Sequence, residues 1–217
     1  MTTIQWGGYL VGCGILLRNI PYEFWPKFKQ DKHYQHLVFA TVVILLLLWL
    51  LRAGIHESLQ VHFLGVTALT LIHGWRIAAF IGSLPLVLMA VLGSINGGDL
   101  GVAALVGGIL PILFSTGIFL LSYRFLAHHI FVYIFVAAFI NGALTMCFHL
   151  LLNSGWVYWV GDVSWQYIVD NYLILMPLMA FPEALLNGMI MTLLIVYKPE
   201  WVRTFSDREY IYDRDRK

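Results

Sequence analysis

The stretch that decides the fold runs from Ile130 to Leu152 and reads IFVYIFVAAFINGALTMCFHLLL. These 23 residues include no Asp, Glu, Lys or Arg. At the helical rise of about 1.5 Å per residue they reach about 34 Å, whereas the hydrocarbon core of a bilayer is about 30 Å thick. The stretch therefore predicts a helix that crosses a membrane.

The composition of the whole chain agrees with this stretch. The 217 residues are 60% apolar and 12% charged, with a net charge of +1. Soluble domains carry about 25% charged residues, so a soluble globule is excluded. A disordered chain needs low hydrophobicity and a nucleic-acid binder needs a basic patch, so both are excluded as well. We predict an integral membrane protein in contact with lipid.

Apolar runs between polar segments give seven candidate membrane helices. Helices fit these runs better than strands, because no ten-residue alternating pattern recurs. The seven are Ile4–Leu17, Leu37–Leu51, Phe63–Trp75, Ile77–Leu92, Leu100–Leu121, Ile130–Leu152 and Tyr172–Tyr197. The chain is therefore expected to be all-α, a polytopic bundle of about seven transmembrane helices that forms one domain over residues 1–217.

The basic residues predict the orientation of this bundle. Of the 13 Lys and Arg residues, only Arg52 falls outside four short segments, which contain Arg18, Lys27, Lys29, Lys32, Arg76, Arg124, Lys198, Arg203, Arg208, Arg214, Arg216 and Lys217. Cytoplasmic segments are enriched in Lys and Arg, so all four segments are expected inside the cell. This puts the N-terminus outside, residues 198–217 in a charged cytoplasmic tail, and the chain in the inner (plasma) membrane.

Three histidines lie near the outer ends of their spans and are candidate metal ligands: His56, His62 and His149. Neutral imidazole is the commonest ligand for nickel, cobalt, zinc and copper. His62 and His149 can share an ion if their helices are neighbours. The alternative is that each histidine is a hydrogen-bonded packing residue.

The last span contains two polar residues at depth, Glu183 and Asn187, just after Pro182. Ionisable groups inside a membrane are costly and therefore informative. Because proline cannot donate a hydrogen bond, the helix is expected to start or kink there. Two interpretations follow: a helix cap with a packing Asn, or the polar lining of a substrate cavity.

The sequence has none of the common catalytic motifs. HExxH, GxSxG, Walker A and GxGxxG patterns are all absent. The histidines are split between the two sides of the membrane, unlike the histidine boxes of membrane di-iron enzymes. We predict that the protein is not an enzyme and cannot itself energise transport with ATP.

Several motifs of the chain occur in the order that characterises one family of membrane proteins. They are Val61-His62-Phe63-Leu64-Gly65, Asn96-Gly97-Gly98-Asp99-Leu100-Gly101, Phe181-Pro182 through Asn187-Gly188, and Tyr197-Lys198-Pro199-Glu200-Trp201. In these motifs the chain resembles the CbiM/NikM family. Its members are the substrate-specific membrane components of energy-coupling-factor transporters for cobalt and nickel.

The resemblance implies seven helices, an outer N-terminus and a metal site near the outer face. In the family a Met-His-Ile start and the histidine of the third-helix motif hold the ion, and His62 matches that histidine. This chain begins Met1-Thr2-Thr3-Ile4, so Thr2 offers no imidazole, and Asn187 stands where the family has Glu. Either the site is rebuilt from His56, His62 and His149, or this branch binds another ligand.

The function implied is capture of a cobalt- or nickel-type ion at the outer face, with the metal as substrate and no tightly bound cofactor. A coupling membrane subunit and ATPase subunits would be its partners. Two other hypotheses are a cofactor-holding or accessory membrane protein, for example one that ligates haem through His62 and His149, and a scaffold without ligand.

Overall fold

The computed structural model describes residues 3–54, 56, 58–161 and 163–212. Met1 and Thr2 of the unusual start, and residues 213–217 of the tail, lie outside the described residues. Of these described residues, 81% are helical. Within the described ranges there is no strand, and an isolated antiparallel bridge joins Ala53 to Val61.

The helices follow the apolar runs closely. They are α1 (Thr3–Arg18), α2 (Phe24–Gln30), α3 (Lys32–Leu50), α4 (Val66–His73), α5 (Trp75–Val91), α6 (Gly97–Phe125), α7 (Ile130–Val160) and α8 (Trp165–Tyr197). Two π-helical stretches, Ala104–Ile109 and Tyr133–Ile140, lie within α6 and α7. In α8 a single 3-10 turn connects Trp165–Asn171 to the long part, Met176–Tyr197.

Four helices, α3, α6, α7 and α8, are long and apolar enough to cross a membrane, and α5 is a shorter apolar helix. The third predicted span differs from expectation. The helix in that run, α4, covers only Val66–His73, which is about 12 Å of helix, and residues 62–65 before it are not helical. The reason lies in Gly65 and Gly74, whose positive φ angles of 63° and 75° end a right-handed helix on both sides.

This short helix forms the centre of the bundle. All eight residues of α4 are buried, and α5, α6, α7 and α8 pack around it. Water cannot satisfy the backbone groups at the ends of such a helix, so other parts of the protein must do so.

The segment after α8 satisfies the C-terminal end of α4. Arg203 donates its backbone N–H to the Ile72 carbonyl at 3.0 Å, and the Thr204 hydroxyl donates to the Leu71 carbonyl at 2.7 Å. Val202, Phe205 and Tyr210 of the same segment are buried. This part of the predicted tail is therefore packed against the bundle rather than extended into solvent.

A polar contact ties this segment to the loop after α1. The Arg203 guanidinium donates from Nη2 to Glu23 Oε1 at 3.0 Å, which holds the pKa of the Glu23 carboxyl below its usual range. Both side chains are about half exposed, so the pair contributes little to stability. Its effect is to fix where the loop lies.

Glycine allows α1 and α6 to approach closely. A Cβ atom on Gly101 would lie 2.6 Å from the backbone N of Tyr9, and one on Gly8 would lie 2.9 Å from a methyl group of Val102. Both distances are shorter than real contacts permit. The two helices therefore touch through backbone, as small residues allow in membrane bundles.

Gly101→Ala is expected to force α1 away from α6. Overpacking of this kind costs about 1–3 kcal/mol, which lowers the melting temperature in detergent by roughly 2–12 °C. Gly117→Ala on the same helix is the matched control, because a Cβ atom there meets nothing within 4 Å. Equal melting temperatures for the two variants would contradict the close contact.

Candidate functional site

The segment between α3 and α4 carries His62 back into the bundle. The backbone bridge between Ala53 and Val61, with N···O distances of 3.0 and 2.7 Å, holds one side of His62. On the other side the Trp49 indole donates from Nε1 to the Leu64 carbonyl at 2.9 Å. His62 therefore sits on a backbone that is fixed at both ends.

Glu183 fixes the same backbone more strongly. Its carboxylate accepts from the N–H of Leu64 at 2.9 Å and from the N–H of Gly65 at 2.8 Å. Asn187, one turn further along α8, accepts from the N–H of Ala68 at 2.7 Å and donates to the Glu183 carboxylate at 2.8 Å. Together they satisfy amides at the N-terminal end of α4, where the helix dipole also favours a negative charge.

The role of this pair corrects the sequence-based interpretation in two ways. Pro182 does not start a helix, because the long part of α8 begins at Met176, and Glu183 caps α4 rather than its own helix. Glu183 and Asn187 are 1% and 0% exposed, and other residues line the two cavities beside the histidines. The pair therefore caps a neighbouring helix, and its role in lining a substrate cavity stays a prediction.

Gly142 on α7 makes room for this cap. A Cβ atom at that position would lie 3.1 Å from the amide nitrogen of Asn187. A larger residue at Gly142 would therefore push Asn187 away from Ala68.

His62 and His149 meet inside the bundle, as the sequence allowed. Their ring centroids are 5.8 Å apart and their planes are tilted by 56°. The Nδ1 atom of His62 lies 3.0 Å from the Phe63 carbonyl, and that of His149 lies 3.1 Å from the Val106 carbonyl. Because a carbonyl oxygen only accepts, each Nδ1 carries the proton and each Nε2 is left with a free lone pair.

This separation suits a shared metal ion. Metal–nitrogen bonds to imidazole are about 2.1 Å and the nitrogen lies about 1.1 Å from the ring centre, so two rings on one ion have centroids at most roughly 6.4 Å apart. Metal-bound histidines usually donate their other ring N–H to a carbonyl or carboxylate, which fixes the tautomer. Backbone carbonyls orient both His62 and His149 in this manner.

Two cavities adjoin the histidine pair. The inner one has a volume of about 140 Å³ and is lined by both imidazoles together with Arg52, Gln60 and Asn153. The outer one, of about 890 Å³, shares those three residues and reaches the beginnings of α1 and α6. The histidines therefore lie at the closed end of a polar space that widens toward one end of the bundle.

His56 lies apart from the pair. Its ring faces Tyr167 at a centroid distance of 6.4 Å, and its Nδ1 accepts from the Ser58 N–H at 3.3 Å. In the part of the chain that the structure describes, no group of three or more His, Cys, Asp and Glu side chains could hold a metal ion. The structure thus brings two of the three predicted ligands together.

Arg52 and Asn153 are site residues that the sequence did not single out as ligand contacts. Arg52 had one visible signal, since it is the only basic residue outside the four basic segments. Asn153 lies one helical turn beyond His149 and had none. The Val106 carbonyl could not be found either, because it belongs to a π-helical stretch that apolar sequence does not reveal.

Known proteins that are similar to this chain identify its family. The family model for CbiM, the cobalt uptake substrate-specific transmembrane region, matches residues 2–201. The chain belongs to the CbiM family. This confirms the resemblance drawn from the motifs around His62 and Asn187, and the membrane and metal-transport character that it implied.

One solved structure is similar to this CbiM family member. It is described as a crystal structure of a truncated transition metal transporter, with a TM-score of 0.67, 15% sequence identity, and coverage of 88% of this chain and 94% of that chain. At this identity the likeness concerns the fold. No curated protein matches the chain. The family and the similar structure are of transporters, which is consistent with a protein that is not an enzyme.

Glu183→Gln is expected to destabilise the protein. A glutamine can accept from one of the two amides but directs its own NH₂ group at the other, which leaves a buried group unsatisfied at a cost of about 1–3 kcal/mol. Thermal unfolding in detergent, followed by tryptophan fluorescence, measures the loss as a melting temperature lower by roughly 2–12 °C.

The matched control for this substitution is Glu200→Gln. The Glu200 carboxylate is exposed and, among the described residues, forms an ion pair with Lys198 at 3.6 Å, so its removal should leave the melting temperature unchanged. If both glutamine variants have the same melting temperature as the wild type, the Glu183 carboxylate does not stabilise α4.

Proposed function

We propose that this CbiM family member is the substrate-binding membrane component of a transition-metal uptake transporter, and that it captures a cobalt- or nickel-type ion between His62 and His149. One observation carries the proposal. The ring centroids of the two imidazoles are 5.8 Å apart, and the Nδ1 atom of each ring is hydrogen-bonded to a backbone carbonyl. Neutral imidazole in this tautomer offers its Nε2 lone pair to a borderline metal ion.

Two imidazoles fill only part of a coordination sphere, so other donors complete it. The inner cavity offers the side-chain oxygens of Ser58, Gln60 and Asn153, and it has room for water or a ligand that accompanies the ion. His62 occupies the position of the family's third-helix histidine. His149 would supply the second imidazole.

The charge distribution supports capture at the outer face. Helix directions put the cavities at the end of the bundle where α3 finishes and α6 begins. The opposite end carries Arg18, Lys27, Lys29, Lys32, Arg76, Arg124, Lys198, Arg203 and Arg208. Under the positive-inside rule the basic end faces the cytoplasm. In this arrangement the chain passes the inner (plasma) membrane seven times, with α4 as a half-helical crossing and the N-terminus outside.

Transport through this component needs partners. The sequence carries no nucleotide-binding motif, so ATPase subunits would supply the energy and a coupling membrane subunit would transmit it. Membrane lipid would cover the exposed apolar side chains of the outer helices, which include Phe39, Leu47, Leu120, Phe135 and Leu193.

His62→Ala and His149→Ala are each expected to weaken binding of Ni²⁺ or Co²⁺ by at least about tenfold, because each removes one of the two imidazole donors of the proposed site. Equilibrium dialysis of the purified protein in detergent measures the affinity. His36→Ala, which changes an exposed histidine at the basic end of α3, is the control and should bind as the wild type does.

Absence of binding at micromolar metal, or unchanged affinity in both variants, contradicts the proposed site. The His56→Ala variant distinguishes a metal site of two histidines from a metal site of three. Since His56 faces Tyr167, this variant should keep the wild-type affinity, and a tenfold loss would show that three histidines bind the ion.

A further inference from the structure

We infer that the ion reaches His62 and His149 as a complex with a small anionic chelator, and that Arg52 binds the chelator. The chelator belongs to the class of carboxylate-bearing metal ligands. This inference rests on the proposed function and names the form in which its substrate arrives.

The first observation is the place of Arg52. Its side chain lines the inner cavity together with both imidazoles, and it lines the outer cavity as well. The guanidinium is anchored there, because Nε donates to the Trp49 carbonyl at 2.7 Å and Nη2 approaches the Met89 sulfur at 3.6 Å. A positive charge therefore stands beside the proposed metal position.

The second observation concerns the charges around it. Among the described residues no carboxylate lies within ion-pair distance of Arg52. The described residues that line the inner cavity include no Asp or Glu, and the acidic residue of the outer lining, Asp99, accepts from Gln5 at 2.8 Å. A guanidinium that has no carboxylate partner among the described residues repels a bare divalent cation and attracts an anionic complex at the same distance.

The third observation is the size of the space. Six waters around an ion occupy about 180 Å³, taking about 30 Å³ for each water. The outer cavity has about 890 Å³, which falls in the range of roughly 300–1,000 Å³ typical of sites for small organic ligands. A hydrated ion alone would leave most of this volume filled with solvent.

The lining suits a chelator with carboxylate and hydroxyl groups. Besides Arg52, the cavity walls present the neutral polar side chains of Ser58, Gln60, Asn96 and Asn153. Arginine binds a carboxylate through two parallel hydrogen bonds, and amide groups can donate to the remaining oxygens. The chelator would also supply the metal-coordination positions that the two imidazoles leave open.

The test is co-retention of metal and chelator by the purified full-length protein. Nickel citrate labelled with ⁶³Ni and ¹⁴C is dialysed against the wild type, in parallel with ⁶³Ni²⁺ in a non-coordinating buffer. The wild type should retain nickel and citrate in a 1:1 ratio. Arg52→Gln should lose at least about tenfold in citrate retention and bind bare Ni²⁺ as well as or better than the wild type.

Two further variants test whether the charge of Arg52 is what retains the citrate. Arg52→Lys keeps the charge and should restore part of the citrate retention. Arg124→Gln removes an exposed arginine from the opposite end of α6 and should retain both labels as the wild type does. A thermal unfolding curve for each variant shows that the protein is folded.

The outcomes separate this inference from the proposed function. Nickel bound without citrate by the wild type, or nickel citrate retained equally by the wild type and Arg52→Gln, would overturn the role of the chelator and leave the metal site intact. Failure to bind nickel in either form would overturn the metal site itself and the inference with it.

Discussion

The carboxylate of Glu183, hydrogen-bonded to the backbone amides of Leu64 and Gly65, is the interaction on which the rest of the site depends. The helix that follows these amides has only eight residues and is buried on all sides. Unsatisfied amides in such surroundings cost several kcal/mol each. The bundle therefore tolerates a short buried helix at this point because α8 supplies acceptors for its amides.

The same helix is held at its other end by the chain that follows α8. Arg203 and Thr204 contact the carbonyls of Ile72 and Leu71, so one continuous part of the sequence brackets α4 at both ends. His62 lies two residues before the Glu183 contacts. Its position is thus set by α8, and a shift of α8 against the other helices would carry both the cap and His62 with it.

His149 comes to the site by a different route. It lies on α7, and a π-helical stretch of α6 offers it the Val106 carbonyl. π-helical turns leave backbone groups in unusual positions and are frequent at functional sites. The two imidazoles therefore receive their orientation from separate elements, which meet only when α4, α6, α7 and α8 are packed together.

Much of the fold could be predicted from the sequence, because the length of an apolar run follows directly from the demands of a membrane. Each predicted apolar run coincides with a helix in whole or in part. The shortness of α4 could not be predicted, since residues 63–75 are as apolar in an extended segment as in a helix, although Gly65 and Gly74 marked its ends. The depth of His62, His149, Glu183 and Asn187 identified them as important, but depth alone does not distinguish a cap from a cavity wall.

Arg52 is the clearest case of a site residue whose position the sequence alone does not reveal. Its isolation among the basic residues was visible in the sequence, whereas its contact with the histidine cavity depends on how residues 51–65 fold back into the bundle. His56 shows the converse, because its closeness to His62 along the chain does not bring its ring to the pair. Only the path of this segment decides which polar side chains share a space.

X-ray absorption spectroscopy of the nickel-loaded protein tests the central claim most directly, because it reports the atoms that surround the ion. If His62 and His149 bind the ion, its first coordination shell consists of nitrogen and oxygen atoms. The scattering from more distant shells then corresponds to two imidazole rings. A shell with sulfur ligands, or one without imidazole scattering, would contradict a site built on His62 and His149.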